Sequence, residues 1–317
     1  MKKQFLTVLK GIAMGAADVV PGVSGGTIAF ISGIYDELIN TISGLNLSII
    51  KYSKQNGIKA AWQAYNLGFL TALFAGIAIS ILSLSKLITY ALETEPILVW
   101  SFFFGLIIAS ILFIKKDIKK WTFKLLLPLI IGIAISYYIT IAQPNASAIG
   151  YPYLFLSGFI AIVAMILPGV SGAFILLLMG TYTSVIETIN AARDGLFKMD
   201  MNILGPALLK IAVFGLGAIT GLKLFSKILK WLFKNHKELT LAVLIGFMIG
   251  SLNKVWPWKN VISTRLNSHG KEVPFLEESI LPTHFSGEPK LFLAILLAIF
   301  GFSILFALEK IAERIKK

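Results

Sequence analysis

A helix breaker written twice inside apolar sequence constrains this chain more than any other feature. Pro-Gly-Val-Ser-Gly stands at Pro21 to Gly25 and again at Pro168 to Gly172, each time within a hydrophobic stretch. Proline lacks the amide that a helix interior needs and glycine loosens the backbone, so each pair stops a helix where it stands. One break could be an accident of packing. Two identical breaks imply an internal duplication, which is how many transporters are built.

Hydrophobic residues make up 56% of the 317 and charged residues only 14%, which places the chain outside the range of soluble domains. A membrane core of about 30 Å needs roughly 20 apolar residues per helical span. Such runs lie at Leu67 to Ala91, Ile97 to Ile114, Leu125 to Ala142, Ile203 to Leu222, Leu239 to Leu252 and Leu291 to Leu308. The net charge of +13 sits in short clusters between these runs, so it indicates membrane orientation and not nucleic acid. Cysteine is absent, and His236, His269 and His284 lack metal-ligand spacing, so no metal or other cofactor is expected.

Aligning Pro21 with Pro168 also pairs Ala17 with Ala164, Gly33 with Gly180 and Tyr35 with Tyr182; farther on, Gly76 pairs with Gly217 and Gly105 with Gly246. Residues 1–147 and 148–317 therefore read as two repeats, each a broken element followed by three spans. Gly11 to Val20 makes roughly 15 Å of helix, half the core, which favours a re-entrant hairpin over a crossing. Loop charge agrees with hairpins. They put the lysine clusters at Lys2 to Lys10, Lys51 to Lys59, Lys115 to Lys124 and Lys223 to Lys237, with the basic C-terminus, on the cytoplasmic side. The Gln143 to Gly150 loop and the long Trp256 to Lys290 loop fall on the other side. Three crossings per repeat invert the second relative to the first. The expected fold is thus an all-α polytopic membrane protein of two inverted-topology repeats, with both termini cytoplasmic and the two tips meeting near the midplane.

Irregular backbone at membrane depth must line protein or a watery cavity. At the tips Ser24 and Ser171 are placed to cap new half-helices. The amides near Gly25, Gly26 and Thr27, and near Gly172 and Ala173, are expected to be unpaired and to form an anion site with Pro21, Gly22, Pro168 and Gly169. The plainer reading is two kinks that let helices pack closely. The motif lacks the Gly-Lys-Ser/Thr ending of a nucleotide-binding loop, so it points to an anion and not to ATP.

Ionisable residues follow from the cost of burying them. Asp18 either carries a proton for coupling or bonds backbone at the break; its counterpart is Met165, so any proton role is asymmetric. Glu37 lies nearer a mouth and is either a second proton carrier or solvated. Lys210 is a partner for an anion or for Asp18, or it snorkels. Arg193 holds a phosphate through its guanidinium, or it pairs with Asp194 or Asp200. Tyr35 and Tyr182 line the cavity or lie in the aromatic belt.

The segments Gly15 to Thr27 with Gly33-Ile-Tyr35, and Ala164 to Gly172 with Gly180-Thr-Tyr182, resemble bacterial polyprenyl-phosphate transporters of the PopT type, formerly a family of unknown function. The resemblance covers essentially the whole chain. It implies a non-enzymatic flippase of the bacterial cytoplasmic membrane that returns undecaprenyl phosphate from the outer to the inner leaflet for reuse as a lipid carrier. It assigns no residues beyond the motif positions. A lipid-linked phosphate would then be the partner, with proton co-transport through Asp18 or Glu37 offsetting the membrane potential. An inorganic-anion transporter or channel, and a lipid-phosphate phosphatase, remain the alternatives.

Overall fold

The computed structural model describes residues 2–19, 23–142, 150–266 and 272–316. Pro21 and Gly22, His269 and most of the Gln143 to Gly150 loop lie outside them. The described residues form α1 (Lys2–Val19), α2 (Gly25–Ile31), α3 (Tyr35–Gly44), α4 (Ser48–Asn56), α5 (Ile58–Ala64), α6 (Leu67–Ser83), α7 (Ser85–Thr94) and α8 (Pro96–Lys115). They continue with α9 (Phe123–Ile141), α10 (Tyr151–Ile166), α11 (Gly172–Leu178), α12 (Tyr182–Lys198), α13 (Met201–Asn235), α14 (Lys237–Ser251), β1 (Lys259–Leu266), β2 (Glu272–Ser279) and α15 (Leu291–Lys316).

Helices α8, α9 and α13 are each long and apolar enough to cross a membrane, and α10 and Leu291–Ile304 are shorter apolar helices. Two further pairs pass the same test but are sharply bent, α5 with α6 by 75° and α11 with α12 by 108°. Large apolar side chains such as Leu82, Phe123, Leu127 and Phe292 are exposed on the outside of the bundle, as lipid-facing positions require. The chain is a helical, multi-pass membrane protein. The Trp256 to Lys290 segment, expected to be a loop, carries an antiparallel hairpin in which β1 pairs with β2 from Lys259 opposite Ser279 to Leu266 opposite Glu272.

Four helix pairs carry most of the packing: α1 on α6, α10 on α13, α9 on α14 and α8 on α15. In a membrane, close approach of backbones supplies the contact energy that water would otherwise drive, and small residues permit it. Gly76 of α6 meets Val8 and Gly11 of α1, and Gly246 of α14 meets Leu129 and Gly132 of α9, with backbone so near that no Cβ fits. The main core lies between α8 and α14, where Trp100, Ile107, Leu241 and Met248 pack with Val23 and Val255.

Both broken elements fold as helical hairpins. On α1, Lys10 Nζ donates to Ser32 O at 2.6 Å, while eight residues farther along Asp18 accepts from Gly25 N at 2.6 Å, so α2 runs back along α1. In the second, Tyr153 Oη donates to Met179 O at 2.9 Å, and Gly172 packs on Ala161 and Met165. The first arm is longer than the ten residues expected. Helix α1 has 18 residues where Gly11 to Val20 suggested ten, because it begins upstream and continues through Lys10, whose long stem carries its charge to the end of α2; α10 has 16. Each short return helix ends in the same turn. Gly33 has φ +69° and Gly180 φ +67°, and the amides of Ile34 and Thr181 reach back to the carbonyls of Ala29 and Leu176. This is the Schellman closure, which asks for glycine at the left-handed position.

Candidate functional site

Ser24 has extended backbone ahead of α2, and its hydroxyl accepts from Gly26 N at 3.1 Å, as an N-cap does. The same hydroxyl donates to Met165 O at 3.1 Å, on the other hairpin. Two further bonds join the hairpins: Gly169 N donates to Thr27 Oγ1 at 3.0 Å, and Tyr35 Oη donates to Ile166 O at 3.2 Å. Gly26 completes the contact, since a Cβ there would lie 2.5 Å from Ile166 O. The two motifs therefore meet, with Ser24, Gly26 and Thr27 against Met165, Ile166 and Gly169. Gly169 itself has φ +83° and presses on Phe247 and Met248 of α14.

The first tip does not offer the free amides expected of it. Gly25 N is taken by the Asp18 carboxylate, Gly26 N by Ser24 Oγ and Thr27 N by Ser24 O at 2.9 Å. The reason is local: α1 continues to Val19, so Asp18 emerges beside the start of α2 and fills the place an incoming anion would take. The second tip differs. Ser171 caps α11 by accepting from Phe174 N at 3.4 Å, Met165 stands where Asp18 would, and Gly172 N and Ala173 N have no partner among the described residues. Gly172 is buried and Ala173 exposed.

The other expected site residues are spread out. Tyr35 is 2% exposed and packs against Phe30 and Phe233, so it joins the hairpins and does not line a wet cavity. Tyr182 is half-buried at the start of α12. Glu37 accepts from Asn66 Nδ2 at 3.0 Å and so holds the left-handed Asn66 that opens α6, away from the tips. Arg193 forks onto Asp194 through Nε at 3.0 Å and Nη2 at 2.9 Å on an exposed surface, the ion pair of its two readings, although both residues lie in α12 and not in a loop. Lys210 is exposed and lines an apolar groove with Leu154, Val185, Ile189 and Phe214, between α10, α12 and α13.

Sequence reasoning missed one cluster. Lys254 Nζ and Lys259 Nζ both bind Glu277 Oε2, at 3.1 and 3.4 Å, and Lys259 also donates to Lys254 O at 2.8 Å. Lys259 stands 3.9 Å from the Trp100 ring centre, and Lys254 stands 4.7 Å from that of Phe174, in the first turn of α11. No spacing rule signals this set, because the strand pairing of β1 with β2 brings Glu277 back to the lysines.

Burial pushes the Lys259 ammonium down to about 8, with Glu277 opposing and Lys254 reinforcing the shift. Burial also pushes Glu277 up, but Lys259 and Lys254 outweigh it and hold the carboxyl below its ordinary value. Between about 8 and 10.5 the unfolded chain binds more protons at Lys259 than the folded one, so this group makes stability rise with pH across that window. Glu277 acts in acid, contributing stability above its unfolded value of 4.5 that is lost as pH falls through its folded one. In a ¹³C-methyl-lysine NMR titration Lys259 is expected to titrate near 8, and Glu277→Gln is expected to move it lower. A Lys259 midpoint at 10 or above would contradict the burial account.

The comparisons with known proteins agree on one kinship. Residues 14–273 match the family model described as undecaprenyl phosphate translocase-like. The chain is 43% identical over 312 residues to the polyprenyl-phosphate transporter of Vibrio cholerae, covering 97% of each. It is 35% identical over 267 residues to the polyprenyl-phosphate transporter of Staphylococcus aureus, covering 80% of this chain and 87% of that one. No solved structure matches the chain significantly. With a family model spanning both motifs and a relative matched nearly end to end, the chain belongs to the undecaprenyl phosphate translocase-like family.

Proposed function

We propose that the chain is a flippase that carries undecaprenyl phosphate from the outer to the inner leaflet of the bacterial cytoplasmic membrane, with the phosphate held at the second hairpin tip where the two tips meet. The observation that carries this reading is the direct contact of the tips through motif residues of both halves. A phosphate on a long apolar tail needs an anion site reachable from lipid. The tips supply the first element, with the amides of Gly172 and Ala173 free among the described residues. The apolar groove at Lys210 supplies a lateral seat for the tail.

Two inverted repeats, residues 1–147 and 148–317, are the architecture we infer. Glycines that pair by sequence occupy equivalent crossings: Gly76 packs on α1 as Gly217 packs on α10, and Gly105 packs on α15 as Gly246 packs on α9. The last two pairs cross between halves, so the repeats interlock and neither is expected to fold alone. In this arrangement the re-entrant hairpins come from opposite faces, with N- and C-termini cytoplasmic. The membrane potential, negative inside, opposes inward movement by about 2.3 kcal/mol per charge per 100 mV, and a co-transported proton offsets that cost. Asp18, already on the first tip, is the stronger carrier, since Glu37 is engaged with Asn66.

An inorganic-anion pathway would need no groove for a tail. A phosphatase would need a nucleophile with a base or metal. His236 instead meets the Trp231 ring edge-on. In liposomes carrying a labelled polyprenyl phosphate on one leaflet, purified protein is expected to accelerate its transfer well above protein-free vesicles. Transfer no faster than in protein-free vesicles under any imposed gradient defeats the reading, and faster movement of inorganic phosphate than of the lipid favours the anion pathway.

A further inference from the structure

The segment between α14 and α15 brings together two ammonium groups and one carboxylate that the transport reading leaves unused. The Lys254 side chain is 11% exposed, Lys259 6% and Glu277 15%, so all three are largely removed from solvent. Two positive charges face one negative charge, and buried charge left uncompensated is costly. Glu277 is the single hydrogen-bond acceptor of Lys254 among the described residues, which leaves donors of a three-donor ammonium unspent. The ring faces of Trp100 and Phe174 hold the lysines in place without neutralising them.

Location gives the surplus charge a use. Phe174 lies in the first turn of α11, and its amide bonds the Ser171 cap, so Lys254 stands beside the second tip. The two tips are thus unlike in charge. The first holds a resident carboxylate, Asp18, on its leading amide; the second has Met165 at the equivalent place and an ammonium at its flank.

We propose that Lys254 is the phosphate-contacting cation of the transport site, that it receives the lipid phosphate at the second tip, and that Glu277 is a placeholder carboxylate whose bond to Lys254 the phosphate takes over. A phosphate carrying one negative charge then balances the surplus of the cluster. Lys259 is a positioning residue that keeps Glu277 and the start of β1 in place through Trp100 and the Lys254 carbonyl. The inference rests on the proposed function and deepens it.

The test is binding by the full chain in lipid nanodiscs, with polyprenyl phosphate as ligand, and the uncharged polyprenol and inorganic phosphate as comparison probes. Lys254→Gln should weaken polyprenyl phosphate binding on the order of tenfold, the loss expected of one charge-assisted contact. It should leave polyprenol binding unchanged, and Lys254→Arg should restore the phosphate-bearing lipid. Because Lys254→Gln keeps the Lys259–Glu277 pair, its melting temperature should stay near wild type. Glu277→Gln should tighten phosphate-lipid binding. Unchanged binding in Lys254→Gln, or an arginine variant as weak as the glutamine one, overturns the proposal. Displacement by inorganic phosphate at equal concentration overturns the lipid as its source. Wild-type transport read in parallel separates the two ideas: transport present with Lys254→Gln unaffected sinks only this inference, and transport absent in wild type sinks the function beneath it.

Discussion

Gly26→Val is expected to abolish lipid transfer while leaving the protein inserted in the membrane. A Cβ at this position would lie 2.5 Å from Ile166 O and 3.0 Å from Met165 O, both backbone atoms of the opposing hairpin. Neither can swing aside as a side chain would, so the hairpins must separate. Separation breaks the bonds from Ser24 to Met165, Tyr35 to Ile166 and Gly169 to Thr27, each worth about 1 kcal/mol net. Misplacing a site by about 1 Å can cost on the order of 100-fold in rate, and transfer is expected to fall by at least that much. Gly33→Ala is the control. Its Cβ meets nothing, but φ is +69°, so the change costs about 1–2 kcal/mol of backbone strain at the far end of α2 and spares the tip contact. Liposome transfer and thermal melting of both variants decide the matter: if Gly26→Val transports like wild type, the tips are not the site.

Features that pair between the two halves of the sequence were legible there, and contacts peculiar to one half were not. The doubled motif and the pairs Gly33 with Gly180, Gly76 with Gly217 and Gly105 with Gly246 stood out by alignment; their places in left-handed turns and at helix crossings, where close backbone contact admits little else, came from the structure. Free amides at both tips were a fair reading of a helix start. At the first tip it failed because Asp18 does what one of its two readings allowed and bonds backbone at the break, accepting from Gly25 N. Residue spacing says that a carboxylate is three positions before a proline; it does not say that the returning chain passes beneath it. Lys254 and Glu277 were hidden for a related reason, since their meeting depends on the register of β1 with β2 and on α11 lying alongside. Arg193 shows the opposite case, since of its two readings the structure takes the one legible from its neighbours, the pair with Asp194.

Asp18→Asn is expected to change what drives transport more than whether the protein folds. The carboxylate accepts from the buried amide of Gly25 at 2.6 Å, a short charge-assisted bond, and asparagine keeps an acceptor oxygen for it. Asp18→Ala keeps none, and leaving that amide unpaired should cost about 1–3 kcal/mol. If Asp18 serves only to cap the tip, the asparagine variant transports like wild type and the alanine variant alone is impaired. If Asp18 carries a proton with a singly charged phosphate, wild-type movement is electroneutral. It then responds to a pH gradient and not to voltage. Asparagine holds no transferable proton, so the same movement becomes electrogenic. An inside-negative potential of 100 mV then opposes it by about 2.3 kcal/mol, roughly 50-fold in the leaflet distribution at equilibrium. The expected result in vesicles with imposed gradients is that Asp18→Asn melts like wild type, loses its response to a pH gradient and becomes sensitive to voltage. An asparagine variant that still follows the pH gradient would leave Asp18 as a cap and move the coupling proton elsewhere.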